Sequence, residues 1–385
     1  MKGYAVGIAA AVIIALLFVS GAMAQESMRV YVQDGMLEGA QTQRLLALLE
    51  DGENQWTLMQ GEQSLRQLVL AGEAPDLAIC SPGEARPWAK EGMLQSLQTH
   101  IGSQQRVQRQ VLIQCVYDEE LFMAPLVAHH RQMAVNGRLM DEMGLGYMLD
   151  SQTYPVWYPA QFYQILEEFL LHNAVALDVW RPDMEDSAPL EALTQAIYGG
   201  MLLSEDGTDC QADSSAMCAG MQWLADAIDD EMIGCCETRE EALERFLDGE
   251  TAIFIDWTKA LERQLEQTGK LPEISARPYP SAIGLPVRSF ELMGVCAFSS
   301  GDTARDAQLV QACVRLHEGV QDVLGPRGIW QDGAIWLTGL EATDSGATLR
   351  SLFAAALHDV MEGKLQADDA LMRVQAAMDA LEQTK

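Results

Sequence analysis

The segment from Glu240 to Trp257, EEALERFLDGETAIFIDW, constrains the fold more than any other part of the chain. Thr238 and Glu241 have the spacing of a capping box, and Ala242, Leu243, Phe246 and Leu247 recur at helical spacing. Gly249 ends this helix, because glycine enters the left-handed conformation without steric cost. Ala252, Ile253, Phe254 and Ile255 then form an unbroken apolar run, as in a strand buried on both faces. Such a strand needs helices on either side, so the chain is expected to build an α/β sheet. The run stops at Asp256 and Trp257, and open α/β sheets hold ligands beyond the carboxyl ends of their strands. A carboxylate and an indole at that position are therefore candidate ligand-binding groups.

The same alternation recurs along the chain. MRVYVQ precedes the helical GAQTQRLLALLEDG, QWTLMQ precedes GEQSLRQLVLAG, and DLAIC precedes GEARPWAKEGM. Three strand-helix units within the first hundred residues imply a mostly parallel, helix-covered sheet. In QCVYDEELFMAPLVAHHRQMAVN two strand-like pieces flank Pro125. Helices are expected in AQFYQILEEFLLHN, in SAPLEALTQAIYGGML and in SAMCAGMQWLADAIDDEM, with the polar SEDGTDCQADS as a surface loop between the last two. A Pro- and Gly-rich stretch leads into the apolar GVCAF, and helices dominate from there to the end.

With 385 residues and 49% hydrophobic content, the chain is long enough for two globular units. Its 25 basic and 56 acidic residues give a net charge of −31, which argues against nucleic acid or an anionic membrane as partner. The first 24 residues combine Lys2, an apolar stretch from Ala5 to Val19 and the small-x-small site Ala22-Met23-Ala24. They are expected to be a signal peptide cleaved near Gln25; the alternative is an uncleaved membrane anchor. Only Gln25, Glu26 and Ser27 separate the segment from the first strand, a reach of about 10 Å. An anchored domain would press on the headgroups, which favours cleavage. No cysteine lies near the site, so lipid attachment there is excluded.

Eight cysteines in an exported chain raise the question of disulfides. Cys80, Cys115, Cys296 and Cys313 lie in strand-like or helical apolar positions and are expected to be buried thiols. Cys210, Cys218, Cys235 and Cys236 fall in one region and leave one bridge possible; their spacing does not fit a zinc site. No metal or cofactor is expected. The chain also lacks a nucleophile elbow, a His-Glu-x-x-His pair, a phosphate-cradling loop and a dinucleotide fingerprint. A glycosidase would need two carboxylates facing across a cleft, for which only Asp256 with Glu291 offers itself.

Several motifs together resemble the carbohydrate-type (maltose-binding-like) solute-binding proteins of ABC importers. LAGEAPDLAIC followed by WAKEGMLQSLQTHI resembles that family's Gly-x-Ala-Pro-Asp strand and the helix and turn after it. MAPLVAHHRQMAVNGRLMDEMGL resembles its hinge crossover, LLSEDGTDCQADSSAMCAGMQWLADAI its Asp-Gly loop and helix, and GKLQADDALMRVQAAMDAL its terminal helix pair. The segment around Trp257 resembles the helix-to-strand turn that carries an aromatic into the cleft. The likeness runs over essentially the whole chain after residue 27.

It implies a two-lobed periplasmic-binding-protein fold of type II, with the ligand cleft between lobes. Lobe one would comprise residues 28–122 plus 270–318, and lobe two residues 123–269 plus 319–385. It also implies capture of a small solute, a sugar or oligosaccharide, by a monomer at the periplasmic or extracellular face, with delivery to the membrane permease subunits of an ABC importer by lobe closure. The alternatives are a cleft-active hydrolase on the same scaffold and a degenerate binding protein acting as a sensor or surface partner.

The candidate ligand-binding residues are Trp257, Asp256, Asp34, Ser81, Trp180 and Arg181 at strand ends, with His129 near the crossover. Glu291 and Met293 stand where the family carries an aromatic loop, and Trp330 is a candidate for the wall of lobe two, as is Trp336. Trp257 is expected to be exposed in the open state and to stack on a sugar face.

Overall fold

The computed structural model describes residues 27–33, 37, 39–50, 55–59, 63–101, 107–182, 187–269, 272–324, 328–329, 333–337, 339–340 and 343–383. The expected signal segment, Asp34 and Trp330 lie outside the described residues. No helix among the described residues is long and apolar enough to cross a membrane.

The strands are β1 (Met28–Val32), β2 (Trp56–Leu58), β3 (Leu77–Cys80), the hairpin β4 (Val116–Tyr117) and β5 (Glu120–Leu121), β6 (Ala124–Asn136), β7 (Leu177–Trp180), β8 (Ile233–Cys236), β9 (Ile253–Trp257), β10 (Ile274–Arg277), β11 (Val287–Ala297) and β12 (Ile335–Trp336). All but the hairpin join one sheet, in the order β2-β1-β3-β11-β6-β9-β7-β8, with β10 beside β6 and β12 beside β11. β1 pairs in parallel with β2 and β3, and β7 in parallel with β8 and β9. The two parallel groups are joined through β11 and β6, which run antiparallel to each other, β11 also to β3 and β6 also to β9. The half formed by β1, β2 and β3 is thus built from the three strand-helix units read in the sequence.

Local signals place the helices. Ser64 and Gln67 form a reciprocal capping box at the start of the Leu65–Leu70 helix. Ser81, with Pro82 behind it, opens the Pro82–Lys90 helix, and Thr238 opens the Arg239–Leu247 helix by accepting from the Glu241 amide at 3.2 Å. Gly249 has φ of +75°, as the sequence expectation requires.

Two hydrophobic cores result. One gathers Val30, Leu45, Leu77, Ile79, Val295 and Leu316, and the other Phe162, Leu177, Ile253, Phe254, Leu357 and Leu371. Each such side chain contributes on the order of 1.5–3 kcal/mol by leaving water. β6 serves both cores: Ala124 to Ala128 belong to the first and Met133 to Val135 to the second. β11 changes sides between Val287, in the second core, and Phe290, in the first. The changes of core fall at residues 128–133 of β6 and 287–290 of β11, where single continuous strands pass from one core to the other. Further along β11, within the first core, its register with β6 shifts between Met293 and Gly294, an irregularity that bends the strand. A Cβ at Gly294 would lie 2.4 Å from Met123, so only glycine fits there.

All eight cysteines are free thiols, and Cys210, Cys218, Cys235 and Cys236 form no bridge. Cys80, Cys115, Cys296 and Cys313 are buried in the core of lobe one.

Candidate ligand-binding cleft

Two adjoining cavities lie between the lobes and share Leu340 and Arg350 in their walls. The larger, about 490 Å³, is faced from lobe one by Gln33, Ser81, Glu84, Arg86 and Lys90. From lobe two come Thr343, Asp344, Gly346 and Arg350. Gln33 and Ser81 follow β1 and β3, so this cavity sits at the carboxyl edge of the parallel strands. The smaller, about 90 Å³, lies toward the crossover strands and is faced by Arg131, Glu191, Ser289, Phe290 and Glu291.

The wall of the larger cavity is held by short polar contacts. The Ser81 hydroxyl accepts from the Glu84 amide at 3.4 Å, and the Ser81 amide donates to Gln33 Oε1 at 2.8 Å. Burial pushes the Glu84 carboxyl up, although Arg66 opposes the shift. Asp344 accepts from Arg86 Nε at 3.0 Å and from Lys90 Nζ at 2.9 Å. Burial works against its charge, but these hydrogen bonds prevail and hold the carboxyl below the usual carboxylate range.

The floor of the smaller cavity is a chain of charges across three strands. Arg131 of β6 donates through Nη1 to Asp256 of β9 at 2.5 Å and through Nη2 to Glu291 of β11. Arg239 supplies a second cation to Asp256, at 2.5 Å. Burial disfavours the Arg131 charge, yet the Asp256 and Glu291 carboxylates outweigh it and raise the group above its ordinary range. Near this floor, the buried hydroxyl of Ser187 and Oε1 of Gln114 have no hydrogen-bond partner among the described residues. Ser187 adjoins Ala188 in the cavity wall, and Gln114 lies against Gly339.

The residues singled out in the sequence divide sharply. Ser81 and Glu291 face the cleft. Trp257 does not: it is fully buried in the core of lobe two, edge-on to Phe246 at 6.0 Å, with Nε1 donating to Glu262 at 3.3 Å. The expected exposed indole is a packing residue here, because the following helix folds back over it. Trp180 is likewise buried, stacked on Phe254 at 6.0 Å. Asp256 is 3% exposed and held between two guanidinium groups. Met293 is packed in the core of lobe one, as is Trp336. Arg181 is exposed, but on a separate hollow of lobe two with Pro182, Cys235, His358 and Glu362. His129 stands opposite Glu291 in the β6–β11 pairing, and burial lowers its imidazole below the ordinary range, so it is neutral at pH 7.

Arg86, Lys90, Arg131, Asp344 and Arg350 also line the cleft, and none of them stands at a strand end marked in the sequence. One signal was available: Arg86 and Lys90 are spaced i,i+4 in a helix following a strand, hence on one face. Arg131 carried no local mark, since its partners lie 125 and 160 residues away.

The cleft thus offers cationic donors and carboxylate acceptors side by side, with Phe290 as the aromatic ring among its described lining residues. That set suits a small ligand rich in hydroxyl groups, whose burial requires a partner for each polar atom. Among the described residues no group of three or more His, Cys, Asp or Glu side chains is placed to hold a metal ion.

No protein-family model matches the chain, and no curated protein sequence does either. Solved structures do. The cyclic α-maltosyl-1,6-maltose binding protein of Arthrobacter globiformis matches with a TM-score of 0.75 at 15% identity, over 93% of this chain and 99% of that one. The sugar-binding protein MalE of Xanthomonas citri gives 0.71 at 10% identity, over 92% and 96%. An ABC substrate-binding protein of Listeria monocytogenes, solved in complex with cycloalternan, gives 0.68 at 11% identity, over 93% and 99%. Along nearly its whole length, the chain has the two-lobed α/β fold of the sugar-type solute-binding proteins of ABC importers.

Proposed function

We propose that this chain is an exported solute-binding protein that captures a small saccharide between its lobes and delivers it to the permease of an ABC importer. The observation that carries this reading is the interlobe cavity of about 490 Å³, at the carboxyl edge of the parallel strands and lined by hydrogen-bonding side chains. Its size falls in the range of small-molecule sites. Arg350 touches both cavities and is the residue we assign as the central ligand donor. Ser81, Gln33 and Glu84 would complete the site from lobe one, and Ser289 and Glu291 from the crossover. Lobe closure would bury the hydroxyls, with contacts made only in the closed form biasing the hinge.

The protein works as a monomer outside the cytoplasm in this reading, with residues 1–24 as its export signal. It is a binder rather than a hydrolase. Asp256 and Glu291, the one carboxylate pair considered for catalysis, both bind the Arg131 guanidinium that lies between them. A glycosidase pair must instead flank an open space for the scissile bond.

The test is a thermal-shift screen of the purified protein against mono- and oligosaccharides, followed by chromatography of the saccharide that binds. One sugar should raise the melting temperature and be recovered intact; at about a hundredfold excess over Kd the stabilisation is about 2.7 kcal/mol. A panel without any shift, or a sugar recovered as fragments, would refute the proposal.

A further inference from the structure

Two cations of lobe one hold one carboxylate of lobe two. Asp344 lies in the turn before the Gly346–Met361 helix, which packs into the second core through Leu349, Phe353 and Leu357. Arg86 and Lys90 are one turn apart on the Pro82–Lys90 helix of lobe one. They take separate oxygens of the carboxylate, Arg86 Nε on Oδ1 at 3.0 Å and Lys90 Nζ on Oδ2 at 2.9 Å. Their spacing puts both donors on one helix face, where a single carboxylate can accept from both.

Arg86 is also fixed from behind. Its Nη1 donates to the Val116 carbonyl at 3.1 Å, and its guanidinium lies 5.6 Å from the centre of the Tyr117 ring. With its side chain 13% exposed and that of Asp344 22% exposed, this pair is partly shielded from water. A donor already held by its own lobe loses little freedom when the other lobe arrives. The ion pair Arg109–Glu205 also joins the lobes, but its side chains are 58% and 66% exposed, so solvent screens it.

We propose that Asp344 is an interlobe latch, a positioning residue that holds the cleft closed before any ligand enters. The larger cavity exists with both ion pairs made, so latch and ligand are compatible. A protein whose competent form is already populated binds with an affinity nearer its intrinsic value, so the latch sets how much of the ligand's binding energy goes into closure. This depends on the two-lobe geometry alone and holds whatever the ligand is.

The experiment uses the full chain without ligand, read by small-angle scattering and by amide hydrogen exchange. Asp344→Asn should enlarge the radius of gyration and speed exchange at residues 82–90 and 343–350, on opposite lobes. Arg86→Gln, which leaves the Lys90 pair in place, should do the same to a smaller extent, and the double variant no more than Asp344→Asn alone, since that change already removes both ion pairs. Raising salt from about 0.1 M to about 1 M should move the unmodified protein in the same direction. Asp359→Asn, which breaks a pair with Lys364 near the end of the same helix, should change neither readout at the cleft. Melting curves check folding; if Arg86→Gln unfolds the protein, Lys90→Gln takes its place. Unchanged scattering and exchange in Asp344→Asn, or strictly additive effects in the double variant, would overturn the latch.

Discussion

β3 in lobe one and β9 in lobe two are both buried strands that leave a parallel sheet at its carboxyl edge, yet they end in opposite environments. β3 is followed directly by Ser81, which caps the next helix and faces the cleft. β9 ends at Asp256 and Trp257, and both are buried. The difference lies in the next helix of each lobe. After Ser81 the chain enters a helix whose first turn, with Glu84, forms the cavity wall. After Trp257, Thr258 caps the Lys259–Thr268 helix by accepting from the Leu261 amide at 3.2 Å, and Glu262 of that helix takes the indole Nε1. Phe246 closes the other side. Topology fixes where a strand end lies, whereas the neighbouring helices fix whether its side chains see solvent.

The largest effect that tests this contrast is expected at Trp257. Trp257→Ala should cost about 3–5 kcal/mol of stability, read by denaturant unfolding, because it empties a filled core site. If unfolding were unchanged, the indole would belong to the cleft wall and the contrast would fail. Asp256→Ala should follow at about 3 kcal/mol, since it removes the buried carboxylate that Arg131 and Arg239 share. Restoring stability by also replacing Arg239 with Met would sharpen that attribution. Ser81→Ala should cost only about 1 kcal/mol, the worth of a lost helix cap, because its other face is open to the cleft.

The smallest effect concerns the thiols. Under native conditions a mild alkylating agent should reach Cys235 and Cys218, and leave the six buried cysteines intact. Burial raises the Cys235 thiol above its ordinary value, with Arg181 opposing, so its thiolate is scarce at pH 7. Its labelling should therefore keep accelerating as pH rises past about 8.5, and a rate that levels off there would argue against a raised thiol.

Much of the architecture was legible because it is written in local patterns. The apolar runs at Leu77–Cys80 and Ile253–Trp257 are strands, and Gly249 turns the chain where the sequence requires it. The lobe crossing was less legible: β6 is apolar on both sides of Arg131, so its composition does not mark where one core gives way to the other. The site was least legible. Trp180 and Trp257 look like ligand groups by position, and only the packing of Phe254, Phe246 and Glu262 reveals them as core. Arg131, Asp256 and Glu291 meet through pairings of distant strands, which no short motif encodes.

The most direct test of the cleft is ligand affinity measured by calorimetry for Arg350→Ala beside Trp257→Phe, using the saccharide that stabilises the unmodified protein. Arg350 lines both cavities, whereas Trp257 lines neither. Arg350→Ala is expected to weaken binding by about tenfold or more, a loss of about 1.4 kcal/mol, while Trp257→Phe binds as before despite a lower melting temperature. Full affinity in Arg350→Ala together with a large loss in Trp257→Phe would place the ligand at the strand end of lobe two and contradict the cleft described here.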